Sequence, residues 1–250
     1  MDMMDKIRGL YREDLVTQEH YLSVLGNMVR ELPFDIFKRY SAFFVPNDDY
    51  LAVSWGDACR LDEYGLYRQD GMCVVNNCIV FPCQLLNGIQ VGWVSFNPFI
   101  KAKAMETGEY VDSYYGFPAK RIFDKGNYVF MLPEVYRKAL EDGYIIVTDG
   151  VFDTVSLTHY GLNSCSLLGS YLSEKASFPL NFIDLIYISV DNDDAGLRME
   201  SNIKKLFPKA RYIRQGFSKD IDDLLKSGKK DYLVSEILRC IDFGLDITLR

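Results

Sequence analysis

Two short, unbroken apolar runs, each closed by aspartate and followed by a helix-forming stretch, constrain this chain more than any other feature. Tyr144–Thr148 (YIIVT) leads into Asp149-Gly150 and a helical FDTVSLTHY ended by Gly161. Residues 186–190 (IYISV) lead into Asp191-Asn192-Asp193-Asp194-Ala195-Gly196 and a helix to about Leu206. Residues 211–215 read as a third strand, followed by Lys219-Asp220-Ile221-Asp222-Asp223. A strand with no polar face is buried on both sides, and strands alternating with helices form a parallel sheet covered by helices. The fold class is therefore α/β: an α+β amino-terminal region plus a parallel sheet flanked by helices.

The first half is patterned differently. Leu15, Tyr21, Leu22, Leu25, Met28 and Val29 recur at helical spacing over 15–31; Pro33 stops that helix, and a shorter one spans 34–41. A further helix is expected around 57–68. CIVFPCQL and IQVGWVSF flank Asn87-Gly88, which predicts a hairpin over 78–96. The polar, aromatic and glycine-containing stretch 101–127 reads as a long loop. Pro133 opens a helix that Gly143 closes. The tail, 231–245, is an amphipathic helix. The segments are thus 1–45, helical; 46–135, mixed α+β; 136–230, the parallel sheet; and 231–250, a carboxy-terminal helix.

The uncharged stretch 71–100 contains Asn76, Asn77, Pro82, Gln84, Asn87 and Gln90, which suit a buried sheet and not a bilayer. The amino terminus has no signal-peptide core, so a cytoplasmic protein with no membrane partner is expected. A net charge of -7 argues against nucleic-acid binding through bulk charge, though not against a local basic groove. The six cysteines lack the close C-x2-C pairs of structural zinc sites and read as buried free thiols.

In open parallel sheets, ligands gather outside the carboxyl ends of the strands. Asp149, Asp191, Asp193, Asp220 and Asp222 all follow predicted strands. If those strands are neighbours, the carboxylates converge, and each close pair repels by about 4 kcal/mol at a surface-like dielectric. Proton sharing or divalent cations relieve such repulsion, and all-oxygen ligands suit Mg²⁺ or Mn²⁺. Singly, each aspartate is an ordinary turn or cap residue; the joint pattern favours a metal site. His20 and His159 stand alone, and Ser166 and Ser170 lack a nucleophile's setting.

Asp149-Gly150-Val151-Phe152-Asp153, Leu168-Gly169-Ser170, Asp191 to Gly196 and Lys219-Asp220-Ile221-Asp222 resemble a Toprim domain in order and spacing. Upstream, Phe81-Pro82, Gly88, Gly92-Trp93 and Phe123-Asp124-Lys125-Gly126 with Tyr128 resemble the RNA-polymerase core of DnaG-type primases from bacteria and phages. The resemblance spans about residues 45–230. It implies template-directed synthesis of short RNA primers on single-stranded DNA from nucleoside triphosphates. Asp149, Asp191 and Asp193 would be catalytic; those three with Asp220 and Asp222 would hold Mg²⁺ or Mn²⁺. Lys125, Lys120 and Arg121 would contact nucleotide or template phosphates.

The chain departs from the family at several points. Asp149 stands where Toprim domains carry glutamate. Asn77 and Asn97 flank the hairpin where arginines are usual, and Asp112-Ser113-Tyr114-Tyr115 replaces a segment with a lysine. No zinc-binding or helicase-binding module is apparent, so the resemblance implies a replicative helicase or a separate zinc-binding subunit as partner. If phage-encoded, the protein would work in the host cytoplasm. Two other readings share these residues: a Toprim nuclease, and a non-catalytic binding protein derived from a primase.

Overall fold

The computed structural model describes residues 15–47, 51, 63–68, 71–108, 114–169, 171–214 and 230–249. The chain divides into two compact units, Met1–Asp124 and Lys125–Arg250.

In the first unit, helices α1 (Leu15–Arg30) and α2 (Phe34–Arg39) precede strand β1 (Phe43–Val45). The hairpin follows as β2 (Cys78–Gln84) and β3 (Gln90–Phe96), then helix α3 (Pro98–Thr107) and strand β4 (Tyr115–Gly116). The four strands form one antiparallel sheet in the order β1-β2-β3-β4. One face packs Phe43, Val45, Val80 and Trp93 against Leu51, Leu66 and Val75. The other sets Phe81 against Phe37 and Tyr40. With both faces covered, β2 and β3 carry almost no polar residues, which explains the uncharged stretch. On edge strand β1, the buried Gln18 side chain donates to Phe44 O (2.9 Å) and accepts from Phe44 N (2.7 Å), satisfying a backbone pair that lacks a strand partner.

The hairpin turn has three residues, not two. Gly88 N donates to Leu85 O and Leu85 N to Ile89 O, and Gly88 has φ +83°. This is a type I turn followed by a left-handed glycine.

Two expectations need correcting here. The helix expected around 57–68 is absent from its described part: 63–68 is a turn in which Gly65 takes φ +72° and Tyr67 bridges Cys73. A left-handed residue cannot continue a right-handed helix. The long loop expected over 101–127 is mostly α3 at its start. Asn97 Oδ1 accepts from Phe99 N (3.1 Å) and Ile100 N (3.0 Å), Pro98 occupies the first turn, and Gly108 closes the helix at φ +67°. The helix has almost no apolar stripe, so periodicity could not reveal it.

In the second unit, a 3-10 turn (Lys125–Asn127) and β5 (Val129–Phe130) precede α4 (Pro133–Asp142), β6 (Tyr144–Thr148) and α5 (Val151–His159). Then come β7 (Ser164–Leu167), α6 (Glu174–Ser177), β8 (Leu185–Ser189) and α7 (Asp194–Leu206). Strand β9 (Arg211–Arg214), helix α8 (Lys230–Asp242) and β10 (Ile247–Thr248) complete it. The sheet order is β10-β9-β8-β6-β7-β5, parallel except at β5. Its core joins Ile146, Tyr187 and Ile213 of the sheet to Leu233 and Ile237 of α8. The carboxy-terminal segment was expected as helix alone; instead α8 ends at Asp242, Gly244 turns the chain at φ +60°, and β10 pairs with β9. Strand β7 was not expected either, because its SCSL sequence carries two serines whose buried hydroxyls bond within the protein. Among the described residues, no helix is long and apolar enough to cross a membrane.

Candidate active site at a sheet switch point

Strand β6 lies at the centre, with β7 on one side and β8 on the other. The connection leaving β6 runs to β7, whereas the one leaving β8 runs outward to β9. Diverging connections open a crevice at the carboxyl ends of β6 and β8, where open α/β sheets place their ligands. Thr148 pairs with Ser189 in register, so Asp149 and Asp191 emerge side by side at that crevice.

The two are tied directly: Asp149 Oδ2 accepts a hydrogen bond from Asp191 N at 3.0 Å. The negative end of one loop thus fixes the backbone of the other, in the stronger class of hydrogen bonds that involve a charged group. Gly196 makes this approach possible. A Cβ there would overlap the Asp191 carbonyl oxygen and stand 3.0 Å from its carbon, so only glycine lets the loop lie against the start of α7. Gly150 is similar, because a Cβ would overlap the carboxylate of buried Asp153.

Asp193 has a different task. Its Oδ1 accepts from both Ala195 N and Gly196 N at 2.9 Å, capping α7. One carboxylate oxygen is therefore committed to the helix end. Asp220 and Asp222 lie outside the described residues. Among the described residues, no three His, Cys, Asp or Glu side chains are grouped to share one ion. The Asp149 carboxylate reaches the Asp191 backbone, and both residues carry hard oxygen donors on adjacent strand ends, which fits Mg²⁺ or Mn²⁺ in kind.

Lys125 belongs to the same edge. Its Cε lies 3.9 Å from where a Gly169 Cβ would stand, which sets the side chain over the turn leaving β7. The Lys125 turn is pinned by Ser173 Oγ, which donates to Gly126 O at 2.7 Å. Burial holds the Lys125 ammonium below the ordinary lysine range, because a desolvated cation is disfavoured. A buried hydroxyl set supports the edge from below. The Thr148 and Thr154 hydroxyls lie 2.8 Å apart, Thr158 and Ser164 lie 3.0 Å apart, and Ser164 Oγ donates to Thr154 O. These links join β6, α5 and β7, and sequence reasoning missed them because a threonine in a strand carries no sign of its partner.

Lys120 and Arg121 belong to the first unit. Lys120 pairs loosely with Asp124 at 3.8 Å, and Arg121 lines a cavity of the first unit with Tyr67, Arg68 and Phe117. Tyr114 and Tyr115 pack on Phe96, with Lys101 Nζ 5.8 Å from the Tyr114 ring. Asn97, at a position where arginine is usual, caps α3, while Asn77 takes a left-handed turn at φ +55°. Cys73, Cys78, Cys83, Cys165 and Cys240 are free and buried, as expected; Cys59 lies outside the described residues.

Residues 146–225 match the family described as Toprim-like. The DNA primase of Aquifex aeolicus is 32% identical over 249 residues, an alignment covering 92% of this chain and 47% of that protein. The chain therefore spans about half the length of the curated relative it matches. Its fold is that of a crystal structure of the Aquifex aeolicus primase, comprising zinc-binding and RNA-polymerase domains. The TM-score is 0.73 at 21% identity, covering 95% of this chain and 59% of that one. A DnaG primase catalytic domain bound to single-stranded DNA gives a TM-score of 0.71 at 17% identity, covering 94% and 79%. Residues 146–225 are thus Toprim-like, and the fold is that of DnaG-type primase cores.

Proposed function

We propose that the protein makes short RNA primers on single-stranded DNA from nucleoside triphosphates, using Mg²⁺ or Mn²⁺. The observation that carries this reading is the Asp149–Asp191 link at the switch-point crevice, beside Lys125, in a chain with the fold of a primase core. Asp149 and Asp191 would hold the cation. Asp193 would offer only its oxygen not used in capping, and Asp220 and Asp222 would complete the acidic set.

A divalent cation bound there supplies positive charge against the attacking and leaving oxygens of phosphoryl transfer. The protein's own groups do the rest. Asp149 holds the β8 loop through Asp191 N, so the carboxylate positions its neighbour as well as contributing charge. A phosphate arriving beside Lys125 would counter the desolvation that lowers its pKa, because a nearby anion favours the ammonium. The aspartate in place of glutamate is shorter by one methylene. It sits close enough to bond the Asp191 backbone, and that bond offsets part of the lost reach. A replicative helicase or a zinc-binding subunit would supply start-site choice; the Aquifex relative's structure names a zinc-binding domain of its own.

The test is incubation with labelled ribonucleotides, single-stranded DNA and Mg²⁺ or Mn²⁺, with Asp191→Ala and Asp149→Glu in parallel. Short RNA from the wild type and none from Asp191→Ala is the expected result. Metal-dependent loss of the DNA instead would make the protein a nuclease. Neither product, even from Asp149→Glu, would leave a binding protein.

A further inference from the structure

Strand β6 ends on a hydroxyl, that of Thr148, and a second hydroxyl, that of Thr154, stands in the first turns of α5. Both residues are fully buried. Hydroxyls without access to water must find partners inside the protein. Where these two send their bonds is more specific than burial alone requires.

Each hydroxyl has one proton to give. Thr148 Oγ1 stands 3.0 Å from Gly150 O and 3.4 Å from Cys165 O, so the nearer carbonyl takes its proton. Thr148 Oγ1 also lies 2.8 Å from Thr154 Oγ1, and with Thr148 already donating, Thr154 is the donor of that bond. The bonds therefore run one way, from Thr154 to Thr148 to Gly150 O, and hydrogen bonds in such a chain polarise and strengthen one another. Gly150 O accepts a second bond, from Thr154 N at 3.2 Å. The Thr154 carbonyl in turn accepts from Ser164 Oγ at 2.9 Å, which anchors the residue to β7. Asp149 is thus bracketed: the residue before it donates to the carbonyl of the residue after it, and Thr154 holds both.

Bracketing matters most for a short side chain. An aspartate has only two side-chain torsions, so the position of its carboxylate follows its backbone closely; a glutamate absorbs a backbone shift with a third torsion. Asp149 Oδ2 meets Asp191 N at 3.0 Å, and a shift of about 1 Å takes that distance past hydrogen-bond range. We propose that Thr154, acting through Thr148, is a positioning residue for Asp149: the two hydroxyls hold the short carboxylate where it braces the β8 loop and faces a divalent cation. Only the cation rests on the primase reading; the brace stands on the distances.

Amide hydrogen exchange of the full chain, followed by NMR in EDTA, reads the brace with no cation present. The variants are Thr154→Val, which removes the hydroxyl and keeps the branched shape, Thr154→Ser, which keeps the hydroxyl, and Asp149→Ala. Thr154→Val speeds exchange at Asp191 N about tenfold, towards the Asp149→Ala rate. Thr154→Ser exchanges within about twofold of wild type. Ala195 N and Gly196 N, held by Asp193, keep their wild-type rates in every variant. Combined with Asp149→Ala, Thr154→Val adds nothing at Asp191. An Asp191 rate within about twofold of wild type in Thr154→Val overturns the proposal, and so does a rise shared by Ala195 and Gly196, which marks general loosening. If the valine variant does not fold, Thr154→Ala removes the same hydroxyl without a branched side chain and is read in the same way. Mn²⁺ titration followed by electron paramagnetic resonance is the second readout. Loss of an outer partner of a ligating carboxylate weakens affinity about tenfold or more, so Thr154→Val binds Mn²⁺ correspondingly less tightly. Wild type that binds no Mn²⁺ and makes no primer, with the exchange pattern intact, overturns the primase reading and keeps the brace; Mn²⁺ binding and primer synthesis with Asp191 exchange unmoved in Thr154→Val does the reverse.

Discussion

Gly196→Ala sets two physical effects against each other, and the structure decides which wins. Gly196 lies in the first turn of α7, and helix propensity alone favours alanine there by about 0.8–1 kcal/mol. The added Cβ, however, would overlap the Asp191 carbonyl oxygen and stand 3.0 Å from its carbon and 3.2 Å from its nitrogen. Those are backbone atoms and cannot rotate aside, so the loop must retreat by about 1 Å to restore normal contact. Overpacking of this kind costs about 1–3 kcal/mol. The retreat also breaks the 3.0 Å bond from Asp191 N to Asp149 Oδ2, in a class worth about 1.5–3 kcal/mol. Subtracting the propensity gain leaves a net destabilisation of about 1.5–5 kcal/mol. Urea unfolding followed by far-UV circular dichroism measures it, and hydrogen exchange over 185–206 locates it. Gly169→Ala is the control: its Cβ meets only Lys125 Cε at 3.9 Å, and stability should stay within about 0.5 kcal/mol. A Gly196→Ala protein as stable as wild type, or more so, would refute the account of how the β8 loop is held.

Asp193→Ala should cost about 1 kcal/mol by removing the α7 cap, and Asp193→Ser should restore most of that stability while still lacking the carboxylate. Primer synthesis that recovers with stability in the serine variant would show that capping is the residue's whole task. Burial pushes the Cys78 thiol up to about 11 and Cys165 up to about 12, with Cys83 also raised. Peptide mapping after iodoacetamide at pH 8 should therefore find these three unmodified until urea is added, and rapid labelling of native protein would contradict their burial. Hydrogen bonds from Lys138 and Asn163 hold the Asp142 carboxyl below its ordinary range. A depressed folded-state value means the contribution is present above the ordinary carboxylate pKa and is lost as pH falls through the folded one. Asp142→Asn should thus be less stable than wild type at pH 7, by a small and salt-sensitive margin, and match it at low pH; an equal gap at both would exclude the carboxylate as the cause.

The elements of the second unit were largely legible in the sequence because their signals are local. An unbroken apolar run such as YIIVT must be buried on both faces, and Pro133 and Gly143 mark a helix start and stop wherever the chain goes. The hairpin was legible for the same reason, since Asn87-Gly88 sits in its own turn. Local signals failed where a residue's partner is distant or its periodicity faint. Helix α3 was hidden because it buries no consistent face, and strand β7 because its Ser164 is satisfied by the Thr158 hydroxyl and the Thr154 carbonyl, partners outside the strand. The aspartates at strand ends could be listed from the sequence, but their relation could not. That relation required β6 to sit between β7 and β8, and strand order is chosen by pairing and burial among segments dozens of residues apart. The sequence by itself determined which segments become strands and helices and which carboxylates follow them. Tertiary structure alone decided that Asp149 braces Asp191 and that Asp193 spends an oxygen on a helix end. Each of these is a contact across the fold, set by packing that no window of sequence contains.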